Sequence, residues 1–218
     1  MRPEGKAAGA RRATGSLVSF RNGADRCNLD YTAHLDYVIR SWCRRYPQLQ
    51  HIDMDRVVVS VVKCRSRCGN GVCATVTSLR RAGGKAHSGR RCPAPRALGI
   101  IKTEREALYL LKFFLPRFHD LSVEEKIATV LHELYHIDPK FNGELRHFNG
   151  RHWVHGPSQG AYEKAYNCLK HDILRQRDAM RELFLDCTFA TLIRRFGTIY
   201  GTRCHVDAAG GQGVQTVA

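Results

Sequence analysis

Apolar positions recur at three- and four-residue steps between Tyr31 and Arg45, and Leu35, Val38, Ile39 and Trp42 share one face of the amphipathic helix this spacing predicts. Tyr46-Pro47 ends it, because the proline ring bars the preceding residue from helical geometry. The period then changes. Residues 56–63 (RVVVSVVK) are β-branched and almost continuously apolar, which predicts a buried strand. After a Gly69-Asn70-Gly71 turn, residues 72–79 alternate and predict a second strand, paired antiparallel with the first across a loop wider than a tight hairpin. Residues 81–99 carry Gly, Pro, Arg and Ala without period and read as loop. Residues 107–118 (ALYLLKFFLPRF) are apolar and aromatic; Pro116 disfavours a long helix, so a third strand is expected.

A helical period returns over residues 122–137. Ser122 and Glu125 have the spacing of a capping box, in which serine accepts from an early backbone N–H and the glutamate reaches back. Val123, Ile127, Val130, Leu131 and Leu134 form its apolar stripe, with Lys126, Thr129, Glu133 and His136 on other faces, and Pro139 stops it. Residues 138–150 form a connector with turns at Asn142-Gly143 and Asn149-Gly150. Beyond His155-Gly156-Pro157, Ser158 caps a second helix expected to run to Asp186, with Tyr162, Ala165, Tyr166, Leu169, Ile173 and Leu174 at helical spacing. Residues 188–200 are expected as a terminal strand, and no internal repeat interrupts this order.

Composition narrows the class. A chain of 218 residues, 43% hydrophobic and 25% charged, is long enough for one well-buried core. No apolar run reaches the roughly 18 residues a membrane span needs, so no membrane association is expected. The first residues lack the apolar core of a signal peptide, and nine cysteines without an export signal suit reduced thiols in the cytoplasm. Residues 1–25 read as a disordered basic arm and 206–218 as a flexible Gly-rich tail. A net charge of +15, spread over pairs such as Arg44–Arg45, Arg80–Arg81 and Arg194–Arg195, favours non-specific contact with polyanions such as nucleic acid.

The chemistry sits in the 122–137 helix, which contains His132-Glu133-x-x-His136. Histidines four apart on a helix project from one face, and two imidazoles can fill two corners of a zinc tetrahedron at about 2.0–2.1 Å. Glu133 lies too far round the helix to be a third ligand but can reach a water at the metal's open position, where a general base belongs. A catalytic zinc needs one more protein ligand. The candidates are His147, His152, His155 and Glu163; His155 has the best setting, before a glycine that lets the chain turn and a helix that holds it, and His152 is its rival. Such a site hydrolyses peptide bonds with zinc-activated water and Glu133 as base, with an electrophilic donor for the oxyanion such as Tyr162 or Tyr166. The 107–118 strand is expected near the substrate cleft. Cys64, Cys68, Cys73 and Cys92 could bind a structural zinc, although their spacing is not that of tight CxxC knuckles.

Residues 108–118 (LYLLKFFLPRF), 125–151 (EKIATVLHELYHIDPKFNGELRHFNGR) and His155-Gly156 together resemble the phage-type metallopeptidase domain family. The resemblance extends back through RVVVSVVK and GVCATVTSLR and spans residues 53–178. There is also a distant similarity to SprT-like proteases, in which an HExxH helix is followed by an HG segment carrying the third histidine. These resemblances imply an α+β, zincin-like fold, with a small antiparallel or mixed sheet packed on the HExxH helix and a following long helix. They imply a single metallopeptidase domain over residues 26–205, a protein or peptide substrate, zinc held by His132, His136 and His155, and Glu133 as general base. SprT-like enzymes act on proteins attached to DNA, which the basic charge would suit. The alternative function is a basic, nucleic-acid-associated protein with a structural or degenerate zinc site, and the intact Glu133 counts against it because structural zinc needs no base.

Overall fold

The computed structural model describes residues 16–21, 28–65, 71–79, 101–102, 105–147, 159–176 and 183–204. Its centre is a three-stranded sheet of β3 (Val57–Lys63), β4 (Ala74–Ser78) and β7 (Tyr109–Leu115), in the order β3-β7-β4. β7 runs parallel to β3, pairing Val57 with Tyr109 through Lys63 with Leu115, and antiparallel to β4, pairing Ala74 with Phe113 through Ser78 with Tyr109. The expected antiparallel pair of residues 56–63 and 72–79 is therefore corrected: the two strands do not pair, because β7 lies between them. Its sequence explains its place. Tyr109, Leu110, Leu111, Phe113 and Leu115 are each 0% exposed, so both faces of β7 need cover, which a central strand receives.

A second sheet, ordered β1-β8-β2, is built from β1 (Ser16–Arg21), β2 (Leu29–Asp30) and β8 (Thr198–Arg203). β1, inside the stretch 1–25 expected to be a disordered arm, pairs antiparallel with β8; residues 1–15 and those after Cys204 lie outside the described residues. β8 also seals β3, with the Cys204 N–H donating to Ser60 Oγ at 2.8 Å. At Gly201 a β-carbon would stand 2.7 Å from Val61 Cγ2 and 3.2 Å from Thr32 Cγ2. A small two-stranded hairpin joins β5 (Ile101–Lys102) to β6 (Arg105–Glu106).

Helix α1 (Tyr31–Arg45) forms as expected, capped by Asp30 and ended by extended Tyr46 before Pro47. Its buried face, including Leu35, Val38, Ile39 and Trp42, joins the main core. Helix α2 (Val123–Tyr135) carries the expected capping box, with Glu125 N–H donating to Ser122 Oγ at 3.2 Å and Ser122 N–H to Glu125 Oε2 at 2.8 Å. One side chain contradicts the expected stripe. Lys126 is 2% exposed, and its ammonium donates to the carbonyls of Leu185 at 2.8 Å and Cys187 at 2.9 Å. Two carbonyls give the buried ammonium the partners it needs in place of water.

Helix α3 (Gln159–Gln176) packs on α2 through Tyr166, Leu169 and Ile173, and its Lys170 reaches Glu124 at 2.7 Å. Residues 177–182 lie outside the described residues, and at the expected end of this helix Leu183–Asp186 forms a 3-10 turn. The expected strand over 188–200 is mostly helix: α4 (Phe189–Phe196) starts at a Thr188 cap, and Gly197, at φ 75°, stops it before β8. The architecture is α+β with a mixed sheet, and among the described residues no helix is long and apolar enough to cross a membrane.

Candidate active site

The cap and apolar face of α2 fix which side chains look away from the core near its C-terminal end. His132 and His136 point to one place, their Nε2 atoms 3.1 Å apart and their rings at 82°. Two ligands about 2.0–2.1 Å from a tetrahedral zinc stand roughly 3.3–3.4 Å apart, so the pair fits the metal with a small adjustment. His136 is 7% exposed. His132 is half-buried beside it, and together the two imidazoles can serve as metal donors.

Glu133 lies beside them, 8% exposed, and its Oε2 accepts the Val76 backbone N–H at 2.8 Å. Burial raises its pKa to about 7, and the Val76 N–H opposes that rise. A carboxyl tuned near neutral pH is suited to taking up and returning a proton. Glu133 thus meets the edge of β4, and a cleft of about 270 Å³, lined by His132 and Glu133, opens there between α2, α3 and β4. Val72, Cys73 and Ala74 wall one side; Ala128, Thr129, His132 and Glu133 wall another, and Tyr166 closes the α3 side. The strand expected near the cleft was residues 107–118, whereas the strand that lines it is β4.

The connector after α2 folds back on itself. Asp138 N–H donates to Glu144 O at 3.2 Å, Arg146 N–H to His136 O at 2.6 Å, and Ile137 bridges Leu145. Phe141 at φ 49° and Gly143 at φ 92° make the reversal, and Tyr109 Oη holds it by donating to Glu144 O and accepting from Gly143 N–H. Arg146 then stacks its guanidinium 3.9 Å over the Tyr135 ring. The chain is thereby returned to the C-terminal end of α2.

Of the third-ligand candidates, His147 is exposed, and among the described residues no third His, Cys, Asp or Glu joins the pair. His152 and His155 lie outside the described residues, as does the side chain of Glu163 on α3. Tyr166 stands with its ring 6.4 Å from that of His132, while the Tyr162 side chain lies outside the described residues. Cys64 and Cys73 flank β7 from opposite sides, two strands apart, and Cys68 and Cys92 lie outside the described residues. The Val76 N–H went unseen in the sequence, since only the insertion of β7 decides which edge of β4 is left free.

Two imidazoles and a buried carboxyl on one helix, set against a sheet edge, form the arrangement expected of a metallopeptidase. Residues 30–176 match the family described as putative phage metallopeptidase, and the chain belongs to that family. No curated protein matches the chain. No solved structure matches it either.

Proposed function

We propose that the protein is a zinc-dependent peptidase of zincin-like design, in which His132, His136 and His155 hold the metal and Glu133 is the general base. The observation that carries this is the convergence of the His132 and His136 Nε2 atoms at 3.1 Å beside a carboxyl whose pKa is raised to about 7. Zinc, when bound, would supply Lewis-acid activation of a water and of the scissile carbonyl. Glu133 would take the proton from the water and return it to the leaving amine, and Tyr166, on the opposite wall, is the candidate donor to the developing oxyanion among the described residues. His155 is supported by connectivity: its segment joins Arg146–His147, tied to the end of α2, to α3, which packs on α2. A peptide is the substrate class that membership of this family implies.

Elemental analysis and a peptidase assay test this together. The wild type is expected to hold one zinc per chain, and His132→Ala, His136→Ala and His155→Ala to lose most of it, with His152→Ala close to wild type in chelator competition. Glu133→Gln should keep the zinc and lose about 10²–10⁴ of the cleavage rate. Equal zinc in wild type and histidine variants would sink the metal assignment, and wild-type cleavage by Glu133→Gln would sink the base.

A further inference from the structure

We infer that the backbone N–H of Val76 is a positioning group for Glu133, so that the edge of β4 turned away from β7 sets the orientation of the catalytic carboxylate. The inference rests on the assignment of Glu133 as base and adds the element that holds it.

The register of β4 decides which of its groups are free. Phe114 N–H donates to Cys73 O and Leu79 N–H to Leu108 O, so residues 73 and 79 face β7. In an antiparallel ladder such residues alternate with residues whose N–H and C=O point away, which places Ala74, Val76 and Ser78 on the outer edge. Val76 N–H therefore serves no ladder bond. Its partner comes from 57 residues away in sequence, the Glu133 Oε2 at 2.8 Å. An edge amide has its choice of water, and here it is given a carboxylate instead.

That bond has a chemical consequence. A glutamate on a helix has three rotatable bonds and, 8% exposed, little water to orient it. Fixing Oε2 on a rigid backbone donor leaves Oε1 as the oxygen free to take a proton, aimed by a strand rather than by solvent. Further along the same edge, Ser78 Oγ is bound to Gly143 O, so the connector anchors the strand that holds the base.

Proline at 76 tests the role, because it deletes one N–H that no ladder bond uses and edge strands tolerate it. In zinc-loaded protein, Val76→Pro should keep the wild-type zinc content and KM within about twofold, while kcat falls about tenfold. Thr75→Pro, which deletes an inward N–H, should instead destabilise the sheet. Amide hydrogen exchange gives a readout independent of metal and activity. The Val76 amide should be protected in wild type and in Glu133→Gln, whose amide oxygen can still accept, and should lose that protection in Glu133→Ala. The Ala74 amide should be unchanged throughout. Equal Val76 exchange in wild type and Glu133→Ala would overturn the inference, as would wild-type kcat or lost zinc in Val76→Pro. If Glu133→Gln itself cleaves normally, the base assignment fails instead, whatever the exchange data show.

Discussion

A carboxyl buried to 8% exposure, with one backbone N–H to accept from, resists ionisation, and folding stability must record that. Glu133 titrates near 7 in the folded chain and near about 4.3 when unfolded. Between those values the folded state holds a proton that the unfolded state has lost, so stability falls as pH rises through this window and levels off above it. In metal-free protein, Glu133→Gln removes the titration. Its stability relative to wild type should therefore rise by about 2–3 kcal/mol between pH 4.5 and pH 8, read from urea unfolding at both pH values. A difference that does not change with pH would place the carboxyl in water. At this scale the sequence was informative about His132, Glu133 and His136, because helical spacing alone puts the two histidines on one face. It was silent on Lys126, whose burial depends on two carbonyls from 59 and 61 residues downstream.

Elements were legible where local chemistry decides them. The Ser122 cap, the Pro47 stop and the stripes of α1 and α2 are short-range signals, and those helices stand where the sequence puts them. Strand order was not legible, because an apolar run such as residues 109–115 says that a strand is covered on both faces without saying by what. The same ambiguity misplaced residues 188–200. Phe189, Leu192, Ile193 and Phe196 have helical spacing between a Thr188 cap and a Gly197 stop, and the reading as a strand passed over them. The contact between the two sheets is likewise a long-range fact, and Gly201 sits in it. Gly201→Ala sets a methyl 2.7 Å from Val61 Cγ2, so the Val61 side chain or its strand must give way. The expected cost is about 1–3 kcal/mol, seen as a lower urea midpoint at unchanged m-value. A neutral Gly201→Ala would mean that β8 does not lie against β3 in solution.

Across the whole molecule the net charge is +15, and the structure divides that charge into two kinds. Arg40 is held by Asp36 and Asp55, Arg105 by Asp53, Lys170 by Glu124 and Arg175 by Asp172. These cations already have a carboxylate and have less to offer a phosphate. Arg44–Arg45 and Arg194–Arg195 are exposed at the C-terminal ends of α1 and α4. Helix carbonyls at those ends favour positive charge, so each pair has a structural reason to be there without any polyanion. The two accounts make different predictions in solution. A role confined to helix ends leaves DNA affinity unchanged when the pairs are replaced. A phosphate-contacting role makes log affinity fall linearly with log salt, and replacing either arginine pair by alanine should reduce that slope by about one per lost contact. Titration of single-stranded DNA at several salt concentrations with wild type, Arg44→Ala/Arg45→Ala and Arg194→Ala/Arg195→Ala separates them. A steep slope that both double variants flatten would assign the pairs to phosphates, and an unchanged slope would leave them to the helix ends. Affinity that is constant between low and moderate salt would show that the charge of this chain does not serve polyanion binding.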